Sequence, residues 1–136
     1  MRVVIDTNVI VSGLLGSHGP PSVALSAGEA GVFAWITSRE LLEEMRRVLN
    51  RPHIKRVVGD TRTIDFIGAL TVIAIVVEPQ HWIEASRDPD DNRVLEAGVA
   101  GDADYIVTGD RDLLALKMHA GIQVITPAAF AKLLPP

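Results

Sequence analysis

The chain has 136 residues, 48% of them hydrophobic, and carries 13 Lys plus Arg against 17 Asp plus Glu for a net charge of −4, which suits a single domain over residues 1–136 with one core. With no cysteine, disulfides, thiolate metal sites and thiol nucleophiles are excluded, in keeping with a reducing cytoplasm. Asp6 breaks the apolar N-terminal run and no stretch approaches about 18 uninterrupted apolar residues, so neither a signal peptide nor a membrane span is expected.

Val3–Val4–Ile5 is short, β-branched and uninterrupted, which predicts a strand buried on both faces. Gly16–Pro21 reads as a turn, residues 22–30 as an Ala- and Ser-rich helix, and Val32–Ile36 as the second strand. Thr37 or Ser38 caps a helix that runs to about Asn50 and ends at Arg51–Pro52. Residues 61–72 have a weaker helical pattern, followed by a third strand, Val72–Val77, closed by Glu78–Pro79. Asp88 caps the next helix, with Pro89 at its first position. Tyr105–Val107 is the fourth strand, Asp112–His119 a short helix, Ile122–Ile125 the fifth strand and Pro127–Leu134 the last helix. Short apolar strands alternating with helices predict an α/β domain built on a parallel sheet.

Ligands of open parallel sheets bind beyond the carboxyl ends of the strands, where strand order reverses, usually between the first and fourth strands. Here the first strand runs into Asp6 and the fourth into Thr108–Gly109–Asp110, which brings two carboxylates to one edge. In the helix after Ser38, the face defined by Leu41, Leu42, Met45, Val48 and Leu49 sends Glu40 and Glu43 into solvent. Glu44 stands roughly 100° from the centre of that face, at its border. Asp91 precedes Val94 and Leu95 by three and four residues and so projects on the inward side of its helix. Asp88 and Asp90 are read as cap and helix-dipole partners. Each acid alone has an ordinary structural explanation, as cap, turn residue or solvated charge. Together, crowded carboxylates would repel one another unless a divalent cation neutralised them. An all-oxygen set suits Mg²⁺ or Mn²⁺.

The segments DTNVIVSGLL, SRELLEEMRRVLNRP and DPDDNRVLEAGVAGDADYIVTGDRDLLAL together resemble the PIN-domain family. Within it they are most similar to the toxins of toxin–antitoxin systems, the VapC-like ribonucleases. The resemblance implies a three-layer α/β/α fold with a five-stranded parallel sheet, and a metal-dependent endoribonuclease using one or two Mg²⁺ or Mn²⁺ ions. By position it makes Asp6, Glu44, Asp91 and Asp110 the catalytic and metal-binding acids, with Asp112 as a secondary ligand. It assigns Asn8 and Thr108, with Ser12 beside them, to holding the first acid and the metal waters. It also implies a cognate antitoxin and a homodimer. The alternatives within the fold are a housekeeping RNA-processing nuclease and a protein-binding module without toxin role.

The expected chemistry is hydrolysis to a 5′-phosphate and a 3′-hydroxyl, with a water activated at the metal. The four histidines show no ligand spacing. Arg46, Arg47, Arg51, Lys55 and Arg56 form the one dense basic segment and are candidates to guide the RNA backbone. Four acids taken as ligands would leave 13 against 13 basic residues, so the net charge leaves RNA open without recommending it. Aromatics make up only 4%, and recognition by base stacking is expected to be weak. A phospho-receiver domain would need paired acids after the first strand, an acid after the third and a lysine after the fifth; here a single acid, Glu78–Pro79 and Thr126–Pro127 stand at those places, and that reading fails. A haloacid-type phosphatase would need an acid where Asn8 stands.

Overall fold

A computed structural model describes all residues, Met1–Pro136. The chain runs β1 (Arg2–Ile5), α1 (Thr7–Leu15), α2 (Pro20–Glu29), β2 (Ala34–Ser38), α3 (Arg39–Leu49), α4 (Pro52–Val58) and α5 (Asp60–Ile73). It continues through β3 (Ile75–Val77), α6 (Pro89–Ala100), β4 (Tyr105–Val107), α7 (Arg111–Leu116), β5 (Met118–His119), β6 (Ile122–Ile125) and α8 (Pro127–Ala131). The sheet order is β3-β2-β1-β4-β6-β5. All pairs are parallel except β5 with β6. The five expected strands are present and parallel. The sixth corrects the five-stranded count: Lys117 turns to φ 60° and ends α7 before Met118–His119 folds back on β6, where a helix to His119 was expected.

Period-two alternation divides the core between the two faces of the sheet. Val3, Ile5, Trp35 and Val107 face one cluster, which also contains Leu25 from α2, Phe66 and Leu70 from α5 and Phe130 from α8. Val4, Ile36 and Ile106 face the other, filled by Val94, Leu95 and Ala97 from α6 and Leu113 from α7. The result is the three-layer α/β/α arrangement. Helix α2 lies close on its sheet face because Gly28 has no side chain: a Cβ there would come within 2.4 Å of the Trp35 ring.

Helix α3 straddles the carboxyl edge of the sheet. Its Leu41 enters one cluster, and Met45 and Leu49 the other. Ser38 caps it, its Oγ accepting from Leu41 N at 3.3 Å. Two helices went unassigned in the sequence. Helix α1 follows Asp6 directly, and α4 starts at the Pro52 that had been read only as a terminator. No helix is long and apolar enough to cross a membrane.

Candidate active site

Strands β1 and β4 lie side by side, with Ile5 opposite Val107, so Asp6 and Thr108 leave the sheet together. Asp6 begins α1. Its Oδ1 accepts from Thr7 N at 2.8 Å, and its Oδ2 accepts from Thr108 Oγ1 at 2.7 Å and Asn8 Nδ2 at 3.2 Å. Thr108 is wholly buried, and its hydroxyl also accepts from Asp110 N at 2.9 Å. Asn8 Oδ1 accepts from Gly109 N at 3.2 Å. These bonds tie the two strand ends into one rigid corner. Asn8 and Thr108 thus both donate to Asp6, and Ser12 lines the adjoining pocket.

That pocket has a volume of about 410 Å³ and is lined by Asp6, Glu44, Asp91 and Asp110, which converge from β1, α3, α6 and the start of α7. Glu44 is half-buried while Glu40 and Glu43 are exposed, the division that the helical periodicity predicted. Its Oε2 accepts from Thr7 Oγ1 at 3.0 Å, which turns the carboxylate toward β1. Asp91 is buried, and its Oδ2 accepts from Ser86 Oγ at 3.1 Å.

Two further acids, Asp88 and Asp90, line the same pocket, where the sequence had assigned them to capping and the helix dipole. Carboxylate oxygens of Asp88, Asp91 and Asp110 all lie within 4.8 Å of one another. Asp88 does cap α6, its Oδ1 accepting from Asp90 N at 2.9 Å; its second oxygen is not used in that bond. Asp110 is similar, with Oδ1 accepting from Asp112 N and Leu113 N. Capping and cluster membership are compatible because a carboxylate has two oxygens. The one sequence cue to Asp88 was its offset of three residues from Asp91.

The segment leading to Asp88 is fastened to α6 by side chains that sequence reasoning did not single out. Buried Asn92 accepts at Oδ1 from Ser86 N (2.8 Å) and donates from Nδ2 to Ser86 O (2.9 Å). Buried Glu96 accepts from Ile83 N at 2.9 Å.

The electrostatics are those of an acidic site. Burial raises the Asp6 carboxyl above its ordinary value; Asp110 and Asp88 push the same way, opposed by the bonds from Thr108 and Thr7. Glu44 is raised by burial and by Asp6 and Asp90, against the pull of the Thr7 bond and Arg47. Asp91 is pushed up to about 7, first by burial and then by Asp110, with Asp88 and Asp6 adding to it against the bond from Ser86. Several carboxylates compete to stay ionised in one place, an arrangement that a hard cation relieves. The oxygen-only donor set fits a small divalent ion.

Not all expectations converge here. Asp112 lies outside the pocket lining, half-exposed, with its Oδ1 3.5 Å from Arg87 Nη2. Its backbone N–H donates to Asp110 Oδ1 at 2.8 Å. Of the basic segment, only Arg51 lines the acidic pocket. Arg47 lines a neighbouring depression with Glu40, Glu43 and Glu44, Lys55 pairs with Asp60 at 3.7 Å, and Arg46 and Arg56 are exposed away from both.

The family model described as "PIN domain" matches residues 2–112, a span that contains every acid named above. The chain is also similar to an uncharacterized protein of Methanocaldococcus jannaschii, at 29% identity over 118 residues, which cover 86% of this chain and 76% of the relative. The PIN domain is a metal-dependent nuclease fold whose acidic residues bind divalent cations and whose nucleases act on RNA. With its sheet order, its β1–β4 corner and its acid cluster accounted for, this chain belongs to the PIN-domain family.

Proposed function

We propose that the chain is an endoribonuclease dependent on Mg²⁺ or Mn²⁺, and that it serves as the toxin of a toxin–antitoxin pair. The observation that carries the nuclease reading is the convergence of Asp6, Glu44, Asp88, Asp91 and Asp110 on one pocket from four separate elements. In this reading Asp88, Asp91 and Asp110, whose carboxylate oxygens lie within 4.8 Å of one another, bind the ion together with Asp6, and Glu44 completes the pocket lining. Asp112 has no part in it.

When bound, one or two such ions neutralise the pocket and supply an activated water and charge stabilisation for phosphodiester hydrolysis, giving a 5′-phosphate and a 3′-hydroxyl. The protein's own contribution is orientation. The bonds from Thr108, Asn8 and Thr7 N leave Asp6 little freedom to rotate, which preserves a fixed geometry for the reacting groups. Thr7 does the same for Glu44, and Ser86 for Asp91. Arg51 at the pocket wall meets a phosphate of the RNA backbone.

The toxin role rests on the resemblance of the motifs to VapC-like ribonucleases. It carries with it a cytoplasmic site of action, an antitoxin partner and a homodimer. The decisive assay is cleavage of single-stranded RNA with Mn²⁺ or Mg²⁺. Activity is expected to vanish with chelator and to fall roughly 100-fold or more in Asp6→Asn; cleavage that survives chelation would overturn the reading. The toxin role is tested by induction in cells. Growth arrest that Asp6→Asn abolishes supports it, whereas harmless expression of an active nuclease points to housekeeping RNA processing.

A further inference from the structure

Trp82 lies in the loop between β3 and α6 and is 70% exposed. A single exposed apolar side chain needs no explanation, but this one is pinned. Its Nε1 donates to Glu84 Oε1 at 2.8 Å. The Arg93 guanidinium lies over one ring face, with its carbon 3.7 Å from the centroid. Arg93 is itself held: its Nη2 lies 2.9 Å from Glu96 Oε2, without the alignment of a hydrogen bond, and both Nε and Nη2 lack a hydrogen-bond partner. One face of the indole is thus backed by a fixed cation while the other is open to solvent.

The ring borders a depression of about 400 Å³ whose charged lining is Arg87, Arg93 and Glu84. Ser86 forms part of this lining, and its hydroxyl bonds Asp91 of the acidic pocket, so the two cavities are neighbours joined through that bond. Arg87 reaches from the lining of the depression toward α7. Its side chain is 91% exposed and its only ion pair is the 3.5 Å contact with Asp112, two residues from Asp110. An exposed pair of that kind contributes little to stability and is readily exchanged for a phosphate.

We propose that Trp82 and Arg87 form a nucleotide subsite next to the acidic pocket, where a base of single-stranded RNA flanking the scissile bond stacks on the open face of Trp82 while Arg87 takes a phosphate. This deepens the ribonuclease reading and rests on it. Stacking on an indole tolerates any base, and the guanidinium behind the ring adds positive charge beneath a π-system. Fixing the ring in the free protein removes an ordering cost from binding. The scarcity of aromatic residues is no obstacle, since one placed ring suffices for one base.

The protein supplies its own reporter, because its other tryptophan, Trp35, is 2% exposed in the core. A short single-stranded oligouridylate carrying a dye is titrated with the full chain in Ca²⁺, and both dye anisotropy and tryptophan emission are followed. Binding should quench the emission of Trp82, whereas an abasic oligonucleotide of equal length and charge should bind more weakly and leave the emission unchanged. Trp82→Ala should weaken oligouridylate binding roughly 5- to 100-fold, with Trp82→Phe retaining most of the affinity. Arg87→Ala should weaken the oligouridylate and the abasic strand alike. If the oligouridylate binds with unchanged emission, or binds Trp82→Ala as tightly as wild type, the subsite is refuted and the nuclease reading stands. If no RNA binds the wild type at all, both fall.

Discussion

Asp91 carries the sharpest electrostatic conflict in the molecule. In the unfolded chain its carboxyl titrates near the ordinary aspartate value; in the folded protein burial and the neighbouring acids hold it near 7. A raised folded pKa means that the folded state binds the proton more tightly. The contribution of Asp91 to stability is therefore most favourable below about pH 4, declines as the pH rises toward 7, and stays at its lower level above that. Without divalent ions, Asp91→Asn should melt above the wild type at pH 8, by about 3–6 °C, the shift that roughly 1 kcal/mol produces in a small domain. The difference should vanish near pH 4, and thermal melts across that range check it. At this scale the sequence was legible where a side chain's direction follows from helical period, as for Glu44 and Asp91. It was less so where one group performs two tasks. Asp88 looked explained once it was seen as a cap, and its place beside Asp91 and Asp110 shows only in the folded chain. Nor does counting aromatics reveal which ring stays outside and what holds it.

Elements were legible in proportion to their length and contrast. Helix α3, with apolar and charged residues cleanly divided, was readable to within a residue or two, and the start of α6 was readable from Asp88–Pro89. Helix α1 was missed because Val11 and Leu15 share its less buried side with Asn8 and Ser12, so its sequence shows no sharp polar face; Asp6 as a cap was the available cue. Pro52 was taken as an end although proline suits the first turn of a helix equally well. The hairpin of β5 and β6 is set by Ala120 and Gly121, at φ 50° and 81°. Two-residue turns with both φ angles positive favour Asn–Gly. Alanine bears a steric penalty there, so Ala120→Asn should stabilise the protein by roughly 0.5–1 kcal/mol, read as a higher denaturant midpoint with an unchanged slope. Loss of stability would mean that the alanine methyl has a packing role.

The net charge of the whole molecule conceals a strong separation. Six of the acids line one pocket, and the remainder leaves 11 against 13 Lys plus Arg. A domain that binds cations only when folded gains stability by mass action. Mn²⁺ at a hundred times its dissociation constant should add roughly 2.7 kcal/mol, or about 10 °C in melting temperature. Chelator should reverse the gain, and Asp91→Asn should lose most of it; equal melting temperatures with and without Mn²⁺ would argue against any ion in the pocket. The overall α/β/α layering was legible in the alternation of strands and helices, because the doubly wound arrangement has few alternatives. The pocket's full membership was not, since it depends on how a loop returns to the sheet edge. Asp6, Asp88 and Asp110 each also begin a helix, α1, α6 and α7. Whatever immobilises those carboxylates therefore quiets the first turns of all three helices at once. Amide hydrogens at residues 8–10, 90–92 and 112–114 should exchange with solvent deuterium more slowly, and in concert, when Mn²⁺ is added.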